Sequence, residues 1–168
     1  MGNLVFVGLD VHAQTIAVAV AESSGEREVR SYGIIDNRME SLRKVMKKLG
    51  RPQDLRVCYE AGPCGYTVYW QLASFGIACE VVAPTLIPVK VGDRVKTDRR
   101  DAEKLARLYR SGELTAVWVP DPACEALRDL VRAREGACQD RLRAQHRLAK
   151  FLLRHGHRPV EKMKFWGK

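Results

Sequence analysis

The sequence predicts an α/β fold: a mixed sheet flanked by helices, followed by one long coiled-coil-like helix. Three observations carry that expectation. Short apolar runs bounded by turn residues recur at 4–10, 15–21, 28–35, 55–60 and 77–83, as buried strands do. The first three are joined by short turns, whereas the later ones are separated by stretches with helical spacing of apolar residues. From 123 to about 154 an apolar seam continues at steps of three and four, close to the coiled-coil period. The 168 residues suffice for one domain with a full core and an appendage. We set the boundary between residues 1–120 and 121–168.

Leu4 to Asp10 and Thr15 to Ala21 read as buried strands joined by a tight connection at Val11-His12-Ala13-Gln14. After the Ser23-Ser24-Gly25 turn, Glu28 to Ile35 reads as a third strand, so an antiparallel meander is expected first. Asp36-Asn37 is expected to cap a helix through Leu49, with Met39, Leu42, Val45, Met46 and Leu49 on its apolar face and Gly50-Arg51-Pro52 ending it. Leu55 to Glu60 is a strand, Tyr66 to Phe75 a helix and Ile77 to Ala83 a strand closed by Pro84. Tyr66 and Trp70, four apart on that helix, are taken as core. Residues 86–95 are expected to form a loop, Thr97 to cap a helix that Gly112 ends, and 115–119 to be a short extended piece. Three strands followed by alternating helices and strands is the order an RNase H-like sheet requires. In the last helix, Leu127, Val131, Cys138, Leu142, Ala149 and Leu152 follow the seam, with Arg134 and Gln145 interrupting it and Gly136 weakening its middle.

The net charge of +9 is unevenly spread. Residues 1–89 carry 9 basic and 9 acidic side chains, residues 90–110 a net +4 and residues 121–168 a net +6. A cationic second half points to a polyanion, and nucleic acid fits better than membrane because no strong amphipathic aromatic face accompanies the charge. No apolar run approaches the length that spans a bilayer, and no secretory pattern opens the chain. Five cysteines without a C-x-x-C pair argue for a reduced, cytoplasmic protein lacking structural zinc, with Cys58 and Cys79 as small buried residues.

The candidate chemistry lies in four acids. Asp98 and Asp101 are three apart in the first turn of a helix, so they share a face near the positive end of its dipole. Lys96, Arg99, Arg100, Lys104 and Arg107 surround them. Taken alone, this stretch reads sooner as a capped surface helix with ordinary ion pairs. Asp10 and Glu60, however, each end an apolar strand, where a carboxylate is costly unless it emerges at the sheet edge or binds something. In an RNase H-like sheet these two strands are neighbours and the late helix packs over the same end. The four acids could then converge on one or two Mg²⁺, a hard ion that carboxylates suit. His12, two residues after Asp10, is expected to point the opposite way or line the turn, and is taken as structural. Metal binding by His155 and His157 on the basic tail is not expected.

Gly8-Leu9-Asp10-Val11-His12, Tyr59-Glu60-Ala61-Gly62-Pro63-Cys64-Gly65-Tyr66, Val82-Ala83-Pro84 and Lys96-Thr97-Asp98-Arg99-Arg100-Asp101-Ala102 resemble, in order and spacing, the DEDD transposases of bacterial insertion sequences. The Lys-Thr-Asp-x-x-Asp-Ala string is the most specific piece. The resemblance covers residues 4–110, and the helix after 122 looks like the family's coiled-coil connector. It implies a RuvC-like domain in which Asp10, Glu60, Asp98 and Asp101 bind Mg²⁺ or Mn²⁺ and are catalytic. By extension, Lys96, Arg99, Arg100 and Lys104 would contact nucleic acid. It further implies DNA as substrate, metal-dependent phosphodiester cleavage and strand transfer during transposition, a guide (bridge) RNA as a second partner, and homo-oligomers formed through the 123–154 helix. The family's C-terminal serine domain has no match before Lys168, so the expectation is a truncated product or fragment, not competent for full recombination alone. A non-catalytic nucleic-acid-binding or dimerisation fragment is the main alternative. An actin-like or sugar-kinase-type phosphotransferase would need Gly-rich phosphate loops that are not found. A DEDD exonuclease would need Asp-x-Glu, where Asp10 is followed by Val11-His12.

Overall fold

A computed structural model describes residues 4–23, 29–88 and 97–158. The chain divides into two compact units, Met1–Val119 and Pro120–Lys168. The first holds strands β1 (Val5–Val11), β2 (Thr15–Glu22), β3 (Arg30–Asp36), β4 (Leu55–Glu60) and β5 (Ala78–Val82) and helices α1 (Met39–Leu49), α2 (Thr67–Ser74) and α3 (Asp98–Arg110). The strands form one sheet in the order β3-β2-β1-β4-β5. β1, β2 and β3 pair antiparallel, while β1-β4 and β4-β5 are parallel. This is the expected RNase H-like order, a meander followed by two crossovers.

Alternation along the strands sorts the sheet into two faces. Val7 and Leu9 of β1, Ile16 and Val18 of β2, and Leu55, Val57 and Tyr59 of β4 bury against Leu42, Val45 and Met46 of α1 and Val68 and Leu72 of α2. The residues between them face α3. Ala17, Ala19 and Ala21 of β2 form a small-residue floor under Ala102 and Ala106, and Cys58 of β4 packs with Val82 and Leu105.

Gly8 lies on the α3 side, and there only glycine fits. A Cβ at that position would come within 2.3 Å of the Ala102 carbonyl oxygen and 2.4 Å of the Ala106 nitrogen. The helix backbone therefore rests directly on β1, the close approach that a missing side chain permits. A bulge between Val18 and Ala19 bends the β2-β3 pair, and Gly33 meets it with a φ of 124°.

Several local expectations are corrected. Asp36 closes β3 and Arg38 occupies the cap position of α1 without a side-chain hydrogen bond, because Asn37 donates its Nδ2 to the His12 carbonyl at 2.8 Å. Trp70 is 40% exposed, edge-on to Tyr69, since Val68 and Leu72 already fill the core-facing side of α2. Cys58 is buried, whereas Cys79 is only partly so. Short 3-10 turns at Pro52–Asp54 and Pro84–Leu86 precede β4 and follow β5.

The second unit contains α4, Pro122–Arg154, 33 residues long. Asp121 caps it, accepting from the Cys124 N–H at 2.7 Å, with Pro122 at the first helical position. That hydrogen bond holds the Asp121 carboxyl below its ordinary range. None of the helix's described residues is buried, and Leu127, Val131, Leu142 and Leu152 of the seam stand exposed. Among the described residues, no helix is long and apolar enough to cross a membrane.

Candidate metal centre

The site is built where β1 ends. Leu9 of β1 pairs in parallel with Tyr59 of β4. Asp10 and Glu60, the next residue of each strand, therefore leave the sheet at the same end. They also leave on the same face. Gly8 abuts α3 and Cys58 packs against Leu105 of the same helix, so the residues two positions on are directed to the α3 side as well. The parallel crossover from β1 to β4 is what puts these two acids side by side, far apart as they are in sequence.

The first turn of α3 completes the arrangement. Thr97 caps the helix as expected, its Oγ1 accepting from the Arg100 N–H at 3.4 Å. Asp98 and Asp101 both occupy the first turn, where unpaired backbone N–H groups favour carboxylates. Because Gly8 lets α3 settle onto β1, that turn is carried to the end of the strand where Asp10 emerges.

Asp10, Asp98 and His12 come together most closely. His12 Nε2 lies 3.1 Å from Asp10 Oδ2 and 3.5 Å from Asp98 Oδ1. One ligand atom from each of the three falls within 4.8 Å of the others. The His12 backbone is fixed from two sides: its N–H donates to the Thr15 carbonyl at 2.9 Å and its carbonyl accepts from Asn37. Cys64, in the turn after Glu60, approaches the Val11 carbonyl at 3.8 Å. The Asp10 side chain is only 20% exposed, against 53% for His12 and 51% for Asp98. Burial raises the Asp10 carboxyl above its ordinary range. The His12 hydrogen bond and charge pull it back down, and the Asp98 and Asp101 carboxylates push it up.

Asp101 thus acts on Asp10 through its charge, but neither it nor exposed Glu60 belongs to the tight trio. Of the expected phosphate contacts, Arg99 donates to Glu103 at 2.9 Å along the helix, Arg100 is exposed and Lys104 is half-buried. Lys96 lies outside the described residues. The expectation for His12 needs revising. Residues two apart on a strand share a face, so the position after Asp10-Val11 directs its ring toward the acids, and that alternation was the available signal. Carboxylates with an imidazole at these distances can hold a divalent cation, since hard ions take oxygen ligands and several also accept imidazole.

Comparison with known proteins bears on this centre. The model of a DEDD transposase family typified by IS110 matches residues 7–156. The chain is 50% identical over 152 residues to the "Putative transposase y4qE" of Sinorhizobium fredii, covering 90% of this chain and 39% of that protein. It is 39% identical over 168 residues to the transposase for insertion sequence element IS1533 of Leptospira borgpetersenii, covering 99% of this chain and 48% of that protein. The chain therefore spans less than half the length of these curated relatives. Among solved structures, Thermus thermophilus RuvC aligns with a TM-score of 0.44 at 16% identity, over 68% of this chain and 100% of RuvC.

Proposed function

Since the chain belongs to the IS110-type family of DEDD transposases, we propose that it carries the metal-dependent phosphodiester-cleaving site of a transposase that moves an insertion sequence. In this reading residues 1–120 form the catalytic domain and residues 121–168 a helical connector. Asp10, Glu60, Asp98 and Asp101 hold Mg²⁺ or Mn²⁺. The observation that supports it most is the meeting of Asp10, from the end of β1, with Asp98, from the first turn of α3, at 3.1 and 3.5 Å from one imidazole nitrogen. Two carboxylates so close, one of them largely buried, repel each other unless a cation lies between them.

A bound ion would supply positive charge against which a phosphate oxygen can accumulate negative charge. The protein's own side chains do the rest. The buried position of Asp10 fixes one ligand against the sheet, and Glu60 offers a second from the neighbouring strand end. Lys96, Arg99, Arg100 and Lys104 would take the flanking phosphates, contacts that position a duplex without reading its sequence. DNA is the substrate in this reading, a guide (bridge) RNA the second nucleic acid, the exposed seam of α4 joins copies of the chain, and the protein works in the cytoplasm.

The test is strand cleavage of DNA carrying insertion-sequence ends, with Mg²⁺ or Mn²⁺ against EDTA. It uses wild type, Asp10→Asn and Glu60→Gln. Metal-dependent cleavage that both substitutions abolish is the expected result. Cleavage that survives EDTA, or that is unchanged by Asp10→Asn, overturns the assignment.

A further inference from the structure

The geometry points to His12 as a nitrogen ligand of this metal centre, turning a carboxylate site into a mixed one that favours Mn²⁺ over Mg²⁺. The inference rests on the metal-site reading above and adds to it a residue outside the four acids. Three observations carry it.

The first is distance. Two adjacent ligands of an octahedral ion with bonds of about 2.1 Å are about 3.0 Å apart, and opposite ones about 4.2 Å. Nε2 lies 3.1 and 3.5 Å from the two carboxylate oxygens, within the range of separations of ligands around one small ion. The second is backbone support. His12 is anchored through both its N–H and its carbonyl, so the imidazole is presented from a fixed turn. The third is direction. It is Nε2 that faces the acids, so it is the ring nitrogen that would meet an ion held between them.

Imidazole changes which metal the site selects. Oxygen ligands and water suit Mg²⁺, while imidazole suits transition metals. Mn²⁺ accepts both, and it gains from His12 what Mg²⁺ does not.

Thermal melts and Mn²⁺ spin-echo spectroscopy test this on the full chain. Wild type, His12→Ala, His12→Gln and Asp10→Asn are each titrated with Mg²⁺ and with Mn²⁺. Even the loss of a residue that only supports a ligand costs roughly 10- to 100-fold in metal affinity. Either His12 substitution is therefore expected to raise the Mn²⁺ concentration needed for half the melting shift by about tenfold or more. The Mg²⁺ response should move much less. The spin-echo signal of wild type with Mn²⁺ should show modulation from a bound ¹⁴N that both His12 variants lose. His12→Gln keeps a hydrogen-bonding group toward Asp10, so a role limited to orienting that carboxylate would leave the Mn²⁺ response intact. If Asp10→Asn removes the metal response but the His12 variants keep the wild-type Mn²⁺ midpoint and ¹⁴N modulation is absent, the inference falls and the carboxylate site stands. If wild type responds to neither ion, both fall.

Discussion

At the scale of single residues, Asp10 is held in a state it resists. Its carboxyl is largely buried, and two further carboxylates on α3 act against its ionisation, with His12 as the compensating partner. Replacing it by asparagine keeps the shape and removes the charge. Asp10→Asn should therefore melt higher than wild type in EDTA and gain nothing from added Mg²⁺, whereas wild type should gain, since a ligand that binds only the folded form stabilises it by mass action. Paired melts in EDTA and in about 10 mM Mg²⁺, a concentration chosen to exceed a weak site's Kd, measure this. A variant that melts lower than wild type without metal, or that keeps the metal response, would show that Asp10 is a structural acid. Asp10 and Glu60 stand out in the sequence because each sits where an apolar run stops, and a charge there demands a reason, whereas Asp98 and Asp101 stand out only as a pair in the first turn of a helix. His12 was expected to point the opposite way or line the turn, whereas its ring faces Asp10 and Asp98, as strand alternation alone would align it. The tight Val11-His12-Ala13-Gln14 connection suggested that the strand had already ended, whereas β1 runs on through Val11 and His12 still bonds across to Thr15.

At the scale of elements, the site depends on how closely α3 lies on β1. That approach has two contributors, a glycine in the strand and alanines facing it. Ala17, Ala19 and Ala21 pack with Ala102 and Ala106, each offering only a methyl group to the contact. Gly8→Ala would set a methyl carbon at 2.3 and 2.4 Å from helix backbone atoms, which no rotamer change relieves. The helix must shift outward, at a cost of about 1–3 kcal/mol, the usual range for overpacking. The shift also carries Asp98 and Asp101 away from Asp10. We expect Gly8→Ala to lower the melting temperature and to weaken metal binding together, while Gly33→Ala, whose site is open but left-handed, costs stability alone. Denaturant melts with and without metal separate the two effects, and normal metal affinity in Gly8→Ala would refute the coupling. In the sequence, Gly8 was visible only as part of a short Gly-x-Asp string. Its partners Ala102 and Ala106 lie on a distant helix, so no local pattern announces the contact. The caps show the same contrast. Thr97 acts locally and was legible, whereas Asn37 was claimed by His12 from another element.

At the scale of the whole chain, charge decides how the proposed substrate is engaged. The net +9 falls entirely within residues 90–168, while the residues that build most of the sheet are neutral. Binding to DNA should then be dominated by counterion release, with the logarithm of affinity falling linearly with the logarithm of salt by about 0.9 for each duplex phosphate neutralised. Arg99 and Arg100 make a discriminating pair of substitutions. Arg99, itself well exposed, is engaged with half-buried Glu103 across one helical turn, and a solvent-screened pair of that kind is worth about 1 kcal/mol or less. A phosphate can therefore displace Glu103 at little cost. If each arginine meets one phosphate, Arg99→Ala and Arg100→Ala should each lower the salt slope by about 0.9, and should weaken specific and unrelated sequences by the same factor, because a phosphate contact carries no base information. Titrations by fluorescence anisotropy between about 50 and 200 mM salt resolve such slopes. An unchanged slope in both variants would move the phosphate track off the first turn of α3. A loss confined to one DNA sequence would show instead that these arginines read bases, and the geometry of approach to Asp10 and Asp98 would have to be drawn differently.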